Sequence, residues 1–312
     1  YSDDPPTDKK KTCDVRALCL RSDGALEREI AVFQDLPARR GSFRAEGAFP
    51  VSPDGKTAAL GRLGNVLLGD AVAGPWKRFD DMACVRKTFE VWTPRFPTAM
   101  TFSPDGRFLF FTMDCRPPGY ENMHQQLNRN EGGASFLVDA ATGQALWQLR
   151  AEPADYSCAN GFAAVARDGA ITAFFDVWSR VAMVDKTGKI LAEELLRPKQ
   201  PRNEFEVRPA EGVGCWMNPS GTLAAFATTK LFVLGNGKTF RKIALVDTVS
   251  AAVLDDGPLA VAGLADGRVI GYHADGTEAW TAQPGGVAPQ IAAAGNRILV
   301  GTSVGELVAL DL

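Results

Sequence analysis

Short apolar runs separated by tight polar turns recur along most of the chain. Phe108 to Thr112 and Ile298 to Thr302 are typical, because each is nearly continuous in apolar character and is bounded by turn residues. Runs of about five residues are too short for helices, and continuous apolar character indicates strands that are covered on both faces. The pattern therefore predicts an all-β fold.

Glycine turns connect these runs. The clearest copies are Ser52-Pro53-Asp54-Gly55 and Ser103-Pro104-Asp105-Gly106. Proline fixes the entry to such a turn, aspartate bonds to the local backbone, and glycine takes a positive φ. Related turns continue along the chain, as at 167–169, 218–221, 255–257 and 294–296. The spacing is typical of a repeat near 40 residues that carries insertions.

A second turn follows the first within each unit. Gly188 follows Gly169 by 19 residues, and Gly276 follows Gly257 by the same 19 residues. Two hairpins per unit predict a four-stranded antiparallel blade.

Two segments carry a resemblance to known repeats. Residues 136–147 (FLVDAATGQALW) and 267–280 (GRVIGYHADGTEAW) resemble the blade consensus of bacterial pyrroloquinoline quinone (PQQ) repeats. The Ser-Pro-Asp-Gly turns resemble those of WD-repeat and YVTN-type propellers. The resemblance implies a closed β-propeller over residues 13–312, preceded by a polar arm at 1–12. It also implies that Trp147 and Trp280 pack between blades.

The number of blades follows from the turns. Six repeat units are clear in the sequence. Val15 to Leu20 is predicted as one strand more than six blades require, so a seventh blade is the alternative. The segment from Ala25 to Ile30 is a candidate outer strand. We expect it to pair beside the C-terminal strand at Leu310 to Leu312 and so close the ring.

Two insertions interrupt the repeat, at 114–133 and 196–212. They are rich in Pro, Asn, Gln, Arg and Glu and do not alternate. Long connections in a compact domain commonly carry function, and Arg and aromatic residues are enriched in interfaces. Trp216, just beyond the second insertion, is predicted to face the central channel. The candidate binding residues are Arg116, Tyr120, His124, Arg129, Arg197, Arg202, Glu204 and Trp216.

Charge and cysteine content limit the classes of binding partner and the cellular compartments that the sequence favours. A net charge of −3 and a pI of 5.6 argue against a nucleic-acid partner. The sequence contains no run of 18 apolar residues, so it predicts no membrane-spanning helix. Six cysteines without a C-x-x-C pair favour disulfides in a periplasmic or extracellular protein. The alternative is a set of buried thiols in a cytosolic core.

Catalytic motifs are weak in this chain. Gly301-Thr302-Ser303-Val304-Gly305 matches the G-x-S-x-G nucleophile elbow, but no histidine follows it. With His124 and His273 as its two histidines, the chain cannot build a three-histidine zinc site. We expect His273 to lie in an exposed turn, and we predict no metal site.

These observations favour a non-catalytic propeller that binds a protein partner or forms a subunit of an extracytoplasmic assembly. The alternative is a quinoprotein or an amine-dehydrogenase-like enzyme subunit, whose chemistry comes from a cofactor or a second chain. The repeat resemblance does not itself imply PQQ, and no cofactor is predicted.

Overall fold

The computed structural model describes the backbone of most of the repeat region. It covers residues 12–20, 26–37, 50–62, 65–70, 77–78, 93–116, 133–151, 162–175, 180–196, 212–255, 259–287 and 289–311. Within these ranges there are 24 strands and no helix, so no segment of them is a candidate to cross a membrane as a helix. The prediction of an all-β fold is confirmed.

Four complete blades have four antiparallel strands each, hydrogen-bonded in chain order. We number them blades II to V. Blade II is β6 (Thr93–Phe102), β7 (Phe108–Arg116), β8 (Gly133–Asp139) and β9 (Ala145–Ala151). Blade III is β10 (Phe162–Val165), β11 (Ile171–Phe175), β12 (Arg180–Asp185) and β13 (Ile190–Leu195). Blade IV is β14 (Gly212–Met217), β15 (Ala224–Thr228), β16 (Leu231–Gly235) and β17 (Phe240–Ala244), and blade V is β18 (Thr248–Val253), β19 (Leu259–Leu264), β20 (Val269–His273) and β21 (Glu278–Ala282).

Three smaller sheets flank these blades. In blade I a single bridge from Val51 to Ala58 occupies the place of the innermost strand. Blade VI has three strands, and the N-terminal strands pair only with each other among the described strands. Blade I is β3 (Thr57–Arg62), β4 (Asn65–Asp70) and β5 (Lys77–Arg78), blade VI is β22 (Gln290–Ala294), β23 (Arg297–Gly301) and β24 (Leu307–Asp311), and the N-terminal hairpin is β1 (Thr12–Leu20) and β2 (Leu26–Pro37).

The blades follow one another through their first strands. β6 contacts β3 and β10, β14 contacts β10 and β18, and β18 contacts β22. Six sheets in series match the six units that the turns predict, and Val15 to Leu20 lies in the separate hairpin. Pairing of the N-terminal segment with β24 is not among the described strand pairs. Ring closure therefore stays a prediction.

Apolar side chains fill the seams between successive blades. In the seam between blades II and III, Phe110 and Phe174 stack with ring centroids 6.1 Å apart, and Trp147 packs against both blades. Trp280 packs into the seam between blades V and VI. The predicted interblade position of both tryptophans is confirmed.

The turns have the predicted chemistry. Ser103 Oγ donates to Asp105 Oδ1 (2.5 Å) and accepts the Phe108 N–H (3.0 Å), and Gly106 has a φ of 72°. The turn at Ser52 repeats this arrangement. Each turn satisfies its own backbone groups, so it can end a strand without help from a neighbouring blade.

Acid is expected to weaken the fold through two turn carboxylates. Hydrogen bonds from Thr187 lower the pKa of Asp185, and bonds from Thr277 lower the pKa of Asp275. A depressed pKa in the folded state stabilises the protein above the unfolded value of about 3.9, and this contribution is lost as the pH falls through the folded value. We expect Asp185→Asn combined with Asp275→Asn to reduce the fall in Tm between neutral pH and pH below about 4.

Asparagine is a suitable replacement because Asn236 already holds a similar turn, accepting the Thr239 N–H at 3.0 Å. Thermal melts of the parent and the double variant across this pH range provide the measurement. An identical pH dependence in the two proteins would show that these turns do not contribute to acid sensitivity.

Candidate functional site

Strand direction separates two faces of the molecule. Antiparallel pairing places every connection from a first to a second strand, and from a third to a fourth, at one end of the blades. We call this end the turn face. Connections from a second to a third strand, and from one blade to the next, lie at the opposite end, which we call the loop face. The two faces can therefore be compared by the lengths of their connections.

From blade I to blade VI, the long connections are all on the loop face. Turn-face connections between described strands have at most six residues, as at 71–76. The loop face carries the connections 79–92, 117–132, 152–161 and 196–211, which all lie between blades I and IV. Both predicted insertions thus leave the strands at the same face. Their predicted bounds were slightly too wide, because 114–116, 133 and 212 belong to strands.

Most of the predicted binding residues lie outside the described residues. Arg116 is the last residue of β7. Outside the described residues lie Tyr120, His124, Arg129, Arg197, Arg202 and Glu204. Their role in binding stays a prediction, as does that of the insertions themselves.

Trp216 is described, and it packs partly buried between two blades. It lies on β14 against the seam between blades IV and V. A Cβ built on Gly214 would be 2.4 Å from Trp216 Cη2, so the ring covers the backbone of Gly214. The residue is half-buried, which gives it a packing role in this seam. Its predicted part in ligand binding stays a prediction.

The loop face of blades IV to VI is closed by hydrogen bonds between neighbouring connections. Asp247, with a φ of 62°, donates its N–H to Thr229 O and accepts from Ala265 N–H. Farther along, Ser303 Oγ accepts the Val287 N–H at 3.0 Å. These connections have seven residues or fewer. On the loop face, the connections of blades IV to VI are therefore short and hydrogen-bonded to one another, whereas those between blades I and IV are long.

Two phenylalanine rings pack against a glycine where two of the long connections re-enter the blades. Phe162 begins β10 directly after 152–161, and Gly212 begins β14 directly after 196–211. Phe162 pairs across strands with the buried Phe175. A Cβ on Gly212 would lie 2.3 Å from Phe175 Cε1 and 3.3 Å from Phe162 Cε2. The bare backbone of Gly212 therefore leaves room for both rings.

Sequence analysis missed this contact. Phe162 stands in a short run, Phe162-Ala-Ala-Val165, that reads as an ordinary core strand. Its exposed fraction of 40% depends on its place at the open end of an inner strand. The signal available in the sequence was a phenylalanine at the boundary between a long connection and a strand.

Cys215 is a half-buried free thiol that packs between two blades. Its Sγ donates to Ala173 O of blade III at 3.6 Å, and burial raises the pKa of the thiol far above its usual value. Thiolate is the reactive form of cysteine, so Cys215 has no nucleophilic character. It serves as an apolar contact in the seam between blades III and IV.

The remaining cysteines can still supply the predicted disulfides. We expect non-reducing mass spectrometry of the protein matured outside the cytosol to show two disulfides, with Cys215 alkylated only after unfolding. Six titratable thiols in the unreduced, denatured protein would contradict this. The candidates for pairing are Cys13, Cys19, Cys84, Cys115 and Cys158.

The nucleophile-elbow motif has the wrong structural context. Ser303 lies in the hairpin between β23 and β24, where Gly305 donates its N–H to Thr302 O. An elbow requires a turn from a strand into a helix. We therefore expect Ser303→Ala to leave hydrolase activity unchanged, and a fluorophosphonate probe that labels Ser303 would refute this.

His273 ends β20 and is exposed, as predicted. In the described part of the chain, no three His, Cys, Asp or Glu side chains converge on a position that could hold a metal ion.

Comparison with known proteins identifies the fold. No family model matches the chain, and no curated protein matches it by sequence. A chain in the crystal structure of the mitotic checkpoint complex superposes with a TM-score of 0.50 and 10% identity, over 85% of this chain and 72% of that chain. BamB from Moraxella catarrhalis superposes with a TM-score of 0.50 and 14% identity, over 93% of this chain and 80% of that chain.

The two neighbours belong to different branches of one architecture. The first is a propeller of the WD40 type, and BamB is a propeller of the PQQ-like type. This agrees with the resemblance of the Ser-Pro-Asp-Gly turns to one kind of repeat and of 136–147 to the other. At these identities the likeness concerns the fold alone. The chain has the fold of the β-propellers, with four-stranded antiparallel blades.

Proposed function

We propose that this propeller is a non-catalytic binding module, and that it engages a protein partner through the loop face of blades I to IV. The observation that carries the proposal is the unequal distribution of connections. Connections of ten to sixteen residues occur only on this part of the loop face, among the connections that join described strands. Blade strands are committed to packing in the seams, so contacts with a partner concentrate in connections.

The described residues also favour binding over catalysis. The one cysteine side chain that is described, Cys215, is half-buried and has a raised pKa, and the serine of the elbow motif lies in a hairpin. The loop face instead offers an exposed aromatic ring beside two long connections. An exposed aromatic residue at the centre of a face is a common anchor of protein interfaces.

The structural neighbours are compatible with a binding role. One is a chain of the mitotic checkpoint complex, a multi-protein assembly by its name. A propeller that is rigid at its seams and variable in its connections suits membership of such an assembly. Disulfides among the five cysteines other than Cys215 would support a periplasmic or extracellular place for this assembly.

Replacement of the two longest loop-face connections tests the proposal. We expect variants with 117–132 or 196–211 replaced by a short Gly-Ser turn to keep the parent's circular dichroism spectrum and cooperative melting. Binding to the partner, purified with the parent protein from the native source and measured by surface plasmon resonance, should be lost. Loops are the preferred sites for such exchanges because few packing contacts depend on them.

A matched control uses the other face. The connection 71–76 joins β4 to β5 on the turn face, and its replacement by Gly-Ser should leave the affinity unchanged. If both loop-face variants bind as tightly as the parent, the proposed binding face is wrong. Loss of binding in the turn-face control alone would move the interface to the turn face.

A further inference from the structure

The hairpin between β16 and β17 contains an asparagine that is followed directly by a glycine. Asn236 is exposed and Gly237 is half-buried, so water reaches both residues. Gly237 has a φ of 78°, and glycine leaves its own backbone nitrogen uncrowded by a side chain. The nitrogen of Gly237 is therefore an accessible neighbour of the Asn236 side chain.

The side-chain carbonyl of Asn236 is polarised by the turn. Its Oδ1 accepts the N–H of Lys238 at 3.1 Å and the N–H of Thr239 at 3.0 Å, and it also accepts the Thr239 hydroxyl at 3.3 Å. Donors placed in this way stabilise the negative charge that develops on an oxygen when a nucleophile adds to its carbon. The turn therefore favours attack at Cγ of Asn236.

The backbone N–H of Gly237 is held by a weak hydrogen bond. It donates to Met183 Sδ at 3.2 Å, whereas the N–H groups of Lys238 and Thr239 donate to an amide oxygen. A thioether sulfur is a weak acceptor. The Gly237 nitrogen can therefore give up its proton with a smaller loss of hydrogen bonding than its two successors.

The corresponding turns of blades II and III have an aspartate in this place. Asp139 Oδ1 accepts the N–H and the hydroxyl of Thr142 at 3.0 and 3.1 Å. Asp185 Oδ1 accepts the N–H and the hydroxyl of Thr187 at 2.8 and 2.6 Å. Oδ1 of Asn236 has the same two kinds of donor. A carboxylate at position 236 would therefore fit the turn of blade IV.

We propose that Asn236 deamidates spontaneously in the folded protein, with the Gly237 nitrogen as the nucleophile, and that the turn accepts the resulting aspartate. This modification site lies on the turn face, because it joins the third and fourth strands of blade IV. The inference is therefore independent of the proposed binding at the loop face. The reaction adds one negative charge to a chain whose net charge is −3.

The reaction needs no reagent other than water. The Gly237 nitrogen forms a bond to Asn236 Cγ and loses its proton to solvent. The bond from Cγ to Nδ2 breaks, and Nδ2 takes up a proton from solvent and leaves as ammonia. Water then opens the five-membered imide. Cleavage between the nitrogen and Cγ gives aspartate, and cleavage between the nitrogen and the main-chain carbonyl carbon gives isoaspartate.

Peptide mapping by mass spectrometry tests the proposal on the complete folded chain, incubated at mildly alkaline pH. We expect the peptide that contains 236–237 to gain the mass that accompanies replacement of NH2 by OH. The matched control is Asn296, which is also exposed and lies in a turn but precedes Arg297. Asn296 should convert at least about tenfold more slowly, because a side chain on the next residue crowds the attacking nitrogen and raises the barrier.

Gly237→Ala tests the nucleophile. Apart from its chain neighbours, no described residue has an atom within 4 Å of a Cβ built at this position, so the variant has room to fold. Deamidation of Asn236 should fall at least about tenfold relative to the parent, and thermal melting checks that the variant is folded. Conversion at the parent's rate would exclude the Gly237 nitrogen and overturn the inference.

Asn236→Asp tests whether the turn accepts the product. Its Tm at neutral pH should lie no more than about 2 °C below that of the parent, because a carboxylate accepts the same hydrogen bonds more strongly. Isoaspartate would instead lengthen the main chain and disturb the bond from Asn236 N–H to Thr239 O (3.3 Å). A much lower Tm for Asn236→Asp would contradict the proposal. It would also be wrong if Asn236 stays intact in the folded protein and converts only in urea, since the turn would then protect it.

Discussion

Phe110→Ala is expected to lower the free energy of unfolding by about 3–5 kcal/mol, the range for removing a fully buried phenylalanine. Phe110 is 0% exposed and is the third residue of β7. Its ring stacks on Phe174 with an interplanar angle of 14° and lies 6.1 Å from the ring of Trp147. The substitution would therefore remove packing from both sides of the seam between blades II and III and leave a cavity that the strands cannot close.

Urea unfolding of the complete chain, followed by tryptophan fluorescence and circular dichroism, measures this loss. The control is Phe162→Ala, which should lose less because 40% of that side chain is already exposed. A decrease of less than about 1 kcal/mol for Phe110→Ala would mean that the seam tolerates the cavity, contrary to its observed packing.

The turns and the blade-end tryptophans could be predicted because their causes are local. Gly106 takes its positive φ within a six-residue hydrogen-bonded unit, Ser103 to Phe108. Trp147 ends a repeat whose spacing is visible in the sequence. Structural features that depend only on residues close together in the chain can be predicted from one sequence, because no distant segment determines their conformation.

Contacts between blades could not be predicted in the same way. Ser250 Oγ donates to Pro289 O at 2.6 Å, and Asn218 Nδ2 bonds to Leu254 O at 3.4 Å. Each bond joins residues more than thirty positions apart. The packing of Trp216 over Gly214 was missed for a related reason, because strand alternation does not say which of two apolar seams a residue enters.

The contact of Phe162 and Phe175 with Gly212 combines both difficulties. Phe162 and Phe175 are opposed only because β10 and β11 pair in one register. Gly212 approaches them from a strand that is separated by the whole of blade III. The sequence correctly marked 196–212 as an unusual connection, but it could not show which residue lies beside its end.

Ring closure leads to the second large effect that we expect. Blade VI has three described strands where blades II to V have four. β24 pairs with β23 on one edge, and no described strand lies on its other edge. Its burial alternates, and Leu307 is 72% exposed. An open edge of this kind promotes association with other chains unless a strand covers it.

The candidate outer strand at 25–30 falls at the start of β2. β2 pairs with β1 on one edge, so its second edge remains for β24. We propose that β2 completes blade VI in this way. Deletion of residues 1–37 should then lower the free energy of unfolding by roughly 2–4 kcal/mol, since each lost ladder bond contributes about 1 kcal/mol and apolar contacts are lost with it. The shortened protein should also associate through β24.

Amide hydrogen exchange distinguishes closure from a general loss of stability. If β2 covers β24, deletion of 1–37 should accelerate exchange in β24 far more than in β16, which lies inside blade IV between β15 and β17. Deletion of 1–11 alone is the control and should change neither strand, because it leaves both β1 and β2. Unchanged exchange in β24 after deletion of 1–37, together with a monomer in size-exclusion chromatography, would show that the N-terminal strands do not complete blade VI. The fourth strand of that blade would then have to come from another segment or another chain, because an apolar three-stranded edge sheet is poorly suited to remain open in water.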